Sequence, residues 1–137
     1  MKLSEHRNSK KQGDAGLGIA IGWFAEEGYT VNVPLTDSQD YDLIVDTDGK
    51  LQRVQVKTAT RHRYGGWVVE LRTRGGNRSG TGKSKQFDPR KVDLLFVVTS
   101  ERSIFLIPSE EVTGRSTVTV GSKYQEFKVV ARDHVPH

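Results

Sequence analysis

The 137-residue sequence has no cysteine, one methionine and four prolines. The lack of cysteine excludes a disulfide scaffold, a thiolate zinc site and a cysteine nucleophile, and fits an intracellular protein. No apolar run approaches the ~18 residues of a membrane span. Met1 to Lys11 carries charge without an apolar stretch, so no secretory signal is expected. The four histidines are scattered, and no pair has the helical spacing of metal ligands. No Ser-His-Asp arrangement stands out. Gly76 to Ser84 (GNRSGTGKS) resembles a phosphate loop but puts Asn77 where its first glycine belongs. Gly16, Gly18 and Gly22 miss GxGxxG by one residue and follow no strand.

Valine is abundant: 16 residues, against 9 leucines and 5 alanines, which favours strands over a helical bundle. The net charge of +4 is unevenly spread. Lys50 to Lys91 carries 12 Lys/Arg against only Glu70 and Asp88, while the remainder carries 9 against 15 acids. A basic middle between acidic flanks is either a nucleic-acid surface or a solvated face.

Leu17, Ala20, Ile21 and Phe24 recur at helical spacing, predicting a helix over 14–28 with Asp14 as N-cap and Gly28 as C-cap. Strands are predicted at 29–33, 41–46, 51–58 and 67–73, with Thr47-Asp48-Gly49 as hairpin turn. The run VDLLFVVT (92–99) reads as a buried strand beside 104–107. Ser109 is expected to cap a short helix, and 117–120 and 126–130 are further short strands. The simplest account is one α/β domain over 1–137, built on a mixed β-sheet. Its residues 1–12 form a flexible basic N-terminus and 74–86 a mobile basic loop; 113–137 are C-terminal strands without an assigned role.

One constellation carries chemistry. Residues two apart on a strand share a face, so Gln55 and Lys57 project together while Val54 and Val56 point into the core. The hairpin folds Asp42 back toward them. A carboxylate, an amide oxygen and an ammonium in one patch suit metal-assisted phosphodiester hydrolysis. Asp42, the Gln55 oxygen and the Val56 carbonyl are candidate ligands for a hard divalent cation, Mg2+ with Mn2+ as substitute. Lys57 would orient the attacking water or stabilise developing charge. The alternative is an ordinary polar strand face.

Several segments resemble the PD-(D/E)xK nuclease superfamily. They are Lys11-Gln12-Gly13-Asp14-Ala15-Gly16, then Glu27-Gly28-Tyr29-Thr30-Val31 with Pro34-Leu35, then Tyr41-Asp42-Leu43-Ile44-Val45-Asp46. Arg53-Val54-Gln55-Val56-Lys57-Thr58 is the most specific, and 87–93 and 104–108 continue the likeness. The sequence is similar to the homing-endonuclease branch, which carries a Q-x-K motif. The resemblance covers roughly residues 10–112.

The resemblance implies a restriction-endonuclease-like core, a mixed sheet flanked by helices, and a metal-dependent DNA endonuclease. Asp42 would be the metal aspartate, Gln55 the second ligand and Lys57 the catalytic lysine, with Asp14 an acid of the first helix near the metal. The family usually reads Gly-Asp-x-Gly-Glu; here the last position is Leu17, so a ligand or water-organiser is missing. Asp14 as a functional acid and Asp14 as a helix cap both stay open. Arg61, Arg63, Arg72, Arg74, Arg78, Lys83 and Lys85 would contact phosphates of double-stranded or branched DNA. Cutting both strands needs two sites, so a homodimer or larger even assembly is expected, in the cytoplasm or nucleoid. A junction resolvase of the same fold, and an inactive DNA-binding protein, are the alternatives.

Overall fold

The computed structural model describes residue 3, residues 8–74 and residues 84–130. Helix α1 spans Ser9–Glu26, with Asn8 as its N-cap: the Asn8 side chain accepts the Lys10 N–H at 2.8 Å. This corrects the expected start at Asp14, which lies exposed in the second turn, and makes 9–12 helical rather than flexible. The first turn is polar, so apolar periodicity could not reveal it. The predicted end holds. Gly28 (φ +91°) donates to the Ala25 carbonyl at 3.1 Å and Tyr29 to the Phe24 carbonyl at 3.0 Å, the paired closure a left-handed glycine permits.

The main sheet has six strands in the order β1-β2-β3-β8-β9-β11. These are β1 (Thr30–Asn32), β2 (Leu43–Thr47), β3 (Lys50–Ala59), β8 (Leu94–Thr99), β9 (Ile104–Pro108) and β11 (Lys128–Val129). Asp48 and Gly49, both at positive φ, close the β2–β3 hairpin as a two-residue turn. The central pair β3–β8 is parallel and every other neighbour is antiparallel. The sheet is therefore mixed, as expected. All six residues of β8 are buried, which explains its unbroken apolar run.

Helix α1 covers one face. Gly16, Ala20 and Phe24 form its buried stripe and pack over Leu43, Val45, Val54, Phe96 and Val98. The other face is covered by a second sheet, in the order β10-β5-β4. It comprises β4 (His62–Arg63), β5 (Gly66–Glu70) and β10 (Thr117–Gly121). Val69, Leu71, Val118 and Val120 close on Ala59, Leu95, Val97 and Ile107. The layers are helix, mixed sheet, small sheet, so strands cover the face where the family resemblance suggests a helix.

The C-terminal strands have a structural role: β10 completes the second sheet and β11 edges the first. The expected loop 74–86 is closed at its base by a two-stranded ladder, β6 (Thr73–Arg74) with β7 (Ser84–Lys85); residues 75–83 lie outside the described residues. Ser109 does not cap a helix. It is the first residue of a 3-10 turn, Ser109–Val112, with Pro108 at the N-cap position, and its hydroxyl donates to the Pro89 carbonyl at 3.3 Å.

Candidate active site

The site forms where β2 stops short of β3. The antiparallel register ends at Leu43 opposite Val54, while β3 continues to Ala59. Asp42, one residue before β2, bridges the gap. Its N–H donates to the Val54 carbonyl at 2.8 Å, and its carboxylate Oδ2 accepts the Val56 N–H at 2.8 Å. The carboxylate thus stands where the next strand carbonyl would be. N–H and C=O of one strand residue project to the same edge, so the Val56 carbonyl opens beside the Asp42 carboxylate.

Gln55 lies on the face away from α1 and is only 6% exposed. Its Nε2 donates to the Asp40 carbonyl at 2.9 Å. That bond fixes the amide, and its Oε1 is buried without a hydrogen-bond partner among the described residues. Buried polar atoms are nearly always satisfied, so this oxygen marks a place for a ligand. Lys57 follows on the same face, half-buried. Burial pushes its pKa down, against the pull of the Asp42 and Glu70 carboxylates. Asp42 keeps an exposed side, yet partial burial of its carboxylate raises its pKa, against the lowering by the Val56 N–H and Lys57.

Asp42, Gln55 and Lys57 are therefore brought together as the strand alternation predicted, and Val54 and Val56 pack toward α1. Asp14 is not joined to them by any described contact. It is exposed on α1, which covers the Val54 and Val56 face. Leu17, where the family carries an acid, packs against the helix-side core. The oxygens of Asp42, Gln55 and Val56 form a donor set that fits a hard divalent cation.

Of the basic residues, Arg61 and Arg63 are exposed on the β4–β5 hairpin, whose tip residue Tyr64 is 89% exposed. Arg72 is also exposed. Arg74 belongs to β6, and Arg78 and Lys83 lie outside the described residues. Lys85 pairs with Asp40 at 2.8 Å. Arg53 is a clamp rather than a free cation: it grips Asp93 through Nε (3.0 Å) and Nη2 (3.1 Å), tying β3 to the start of β8 where their pairing begins.

Sequence reasoning missed Asp40 and Glu70. Asp40 acts through its main-chain carbonyl, which no side-chain pattern reveals. Glu70 reaches Lys57 from a different sheet; its one signal was being one of two acids in the basic segment.

Against this geometry, the chain matches the family model described as PD-(D/E)XK endonuclease over residues 7–131. The chain belongs to the PD-(D/E)XK endonuclease family. Protein 5.3 of Escherichia phage T7 is 33% identical over 109 residues, covering 77% of this chain and 85% of that protein. The fold matches the solved structure of a bacterial homing endonuclease, I-Ssp6803I, with a TM-score of 0.75 at 22% identity over 88% of each chain. The restriction-endonuclease-like fold of this PD-(D/E)XK chain is thereby established, and the family's substrate class is DNA.

Proposed function

We propose that this chain is a divalent-metal-dependent endonuclease that hydrolyses DNA phosphodiester bonds, with Asp42, Gln55 and the Val56 carbonyl as ligands and Lys57 as catalytic residue. The observation that carries the reading is the buried Gln55 Oε1, unpartnered among the described residues, on the strand whose next residue, Val56, holds the Asp42 carboxylate. Family membership supports the reaction class, and the likeness to a homing endonuclease favours that branch.

The chain's own residues divide the work. Asp42 supplies the anionic oxygen and is held by the Val56 N–H. Gln55 supplies a neutral oxygen whose direction is set by Asp40. Bound Mg2+ or Mn2+ would lower the pKa of a water and offset charge gathering on the phosphate. Lys57, held near Asp42 and Glu70, orients that water or donates to a phosphate oxygen as charge develops. Arg61, Arg63, Arg72 and the basic segment after them contribute sequence-independent phosphate contacts. Two copies related by a two-fold axis would place two such sites on a duplex.

Nicking of supercoiled plasmid with Mg2+ or Mn2+ tests the reading. Wild type should nick, while Asp42→Ala and Lys57→Ala should lose at least about 100-fold and keep DNA affinity. Cleavage confined to four-way junctions would select the resolvase alternative. DNA binding without metal-dependent cleavage of any substrate would select the inactive one, for which Leu17 in place of the family's acid is the specific argument.

A further inference from the structure

Beside the Gln55 amide lies a cleft of about 180 Å³ bounded by Gln39, Asp40, Tyr41, Arg53, Lys85 and Lys91. Its chemistry is unbalanced. The Asp40 carboxylate accepts a hydrogen bond from Lys85 Nζ at 2.8 Å on Oδ1 and has a second ammonium, Lys91 Nζ, at ion-pair distance, 3.9 Å from Oδ2. Both lysine side chains remain about half exposed, at 51% and 55%, whereas that of Asp40 is only 20% exposed. Arg53 is held in place by Asp93 and the Arg90 carbonyl through its Nε and Nη2. The cleft therefore presents two outward-facing ammonium groups that share one small anion.

We infer that this cleft is a subsite for a DNA backbone phosphate flanking the scissile one, with Lys85 and Lys91 as its donors and Asp40 as a placeholder that holds them until DNA arrives. The inference rests on the nuclease reading above. Three observations carry it. The two carboxylate oxygens of Asp40 each face one lysine ammonium, as two non-bridging phosphate oxygens would. Exposed ion pairs are weak, so exchanging Asp40 for phosphate costs little, while phosphate binding releases counterions from the DNA. The same residue orients the Gln55 amide through its carbonyl, so Asp40 links the cleft to the proposed metal site.

The experiment is duplex DNA binding by fluorescence anisotropy, in EDTA to prevent cleavage, over a series of salt concentrations. K85A/K91A should bind more weakly, with the log–log salt slope reduced by about 1.8, since each lost phosphate contact removes ~0.9. K85R/K91R should keep the wild-type slope. D40N, with the lysines released, should bind several-fold tighter than wild type. An unchanged slope in K85A/K91A, or a slope lost equally in K85R/K91R, overturns the subsite. Affinity of D40N at or below wild type overturns the placeholder role. Failure of the wild type to bind DNA at all would instead sink the nuclease reading, and this inference with it.

Discussion

Gln55 gives its side-chain N–H to the main-chain carbonyl of Asp40 at 2.9 Å and is left with a buried oxygen that meets no donor among the described residues. A glutamine suits this position better than a carboxylate would, because only the amide has an N–H for that carbonyl. Gln55→Glu should therefore set a carboxylate against a carbonyl oxygen. The metal-free variant is expected to lose ~1–3 kcal/mol, the usual cost of leaving a buried polar group unmatched. Added Mn2+ should recover part of the loss by binding the folded state. Thermal unfolding with and without Mn2+ reads both effects; equal Tm values for variant and wild type without metal would count against the orienting role of Asp40.

Lys57 illustrates a stability cost carried by a proposed catalytic residue. Burial lowers its pKa from the ordinary 10.5, so its charge is less favoured in the folded chain than in the unfolded one. The sign follows: below the lowered pKa the charged lysine costs stability, and the cost vanishes as pH rises from that value toward 10.5. Lys57→Met should raise the metal-free Tm at neutral pH by a few degrees, the shift that ~1 kcal/mol gives a domain of this size. The gain should shrink toward pH 10, and cleavage should be lost. A lower Tm for the variant at neutral pH is the opposing result.

Gly16 fixes how closely α1 approaches the sheet. A Cβ at that position would stand 2.5 Å from Cγ2 of Thr58, inside van der Waals contact. Gly16→Ala should destabilise by ~1–3 kcal/mol, as over-packing does. Removing the obstructing methyl should relieve it, so Gly16→Ala with Thr58→Ser should regain part of the loss. Additive losses in the double-mutant cycle would mean that the two positions do not collide.

Acid sensitivity should centre on Asp93. The Arg53 guanidinium holds its carboxyl below the usual carboxylate range. A depressed pKa contributes stability above the unfolded value, lost as pH falls through the folded one. Asp93→Asn should therefore be less stable than wild type at pH 7, with the difference closing in strong acid. A difference that stays constant on acidification would assign the loss to shape rather than charge.

The parts of this molecule that were legible in the sequence are those written in alternation. Gln55 and Lys57 share a parity on β3, Val54 and Val56 the other, and Asp48-Gly49 marks the turn that returns Asp42 to them. The unbroken run of β8 identified a buried strand. What stayed hidden depends on groups without a pattern. Asn8 caps a helix whose first turn is polar, so the start appeared to lie at Asp14. Asp40 works through a backbone carbonyl and through lysines 45 and 51 positions away. Strands rather than a helix cover the second face, because β5 and β10 pair across a long stretch of sequence.

The most direct test of the central claim is divalent-cation binding followed by the loss of free Mn2+ signal in electron paramagnetic resonance. The wild-type protein is expected to bind Mn2+ at a site that weakens at least about tenfold in both Asp42→Asn and Gln55→Leu. Unchanged Mn2+ affinity in both variants would contradict it.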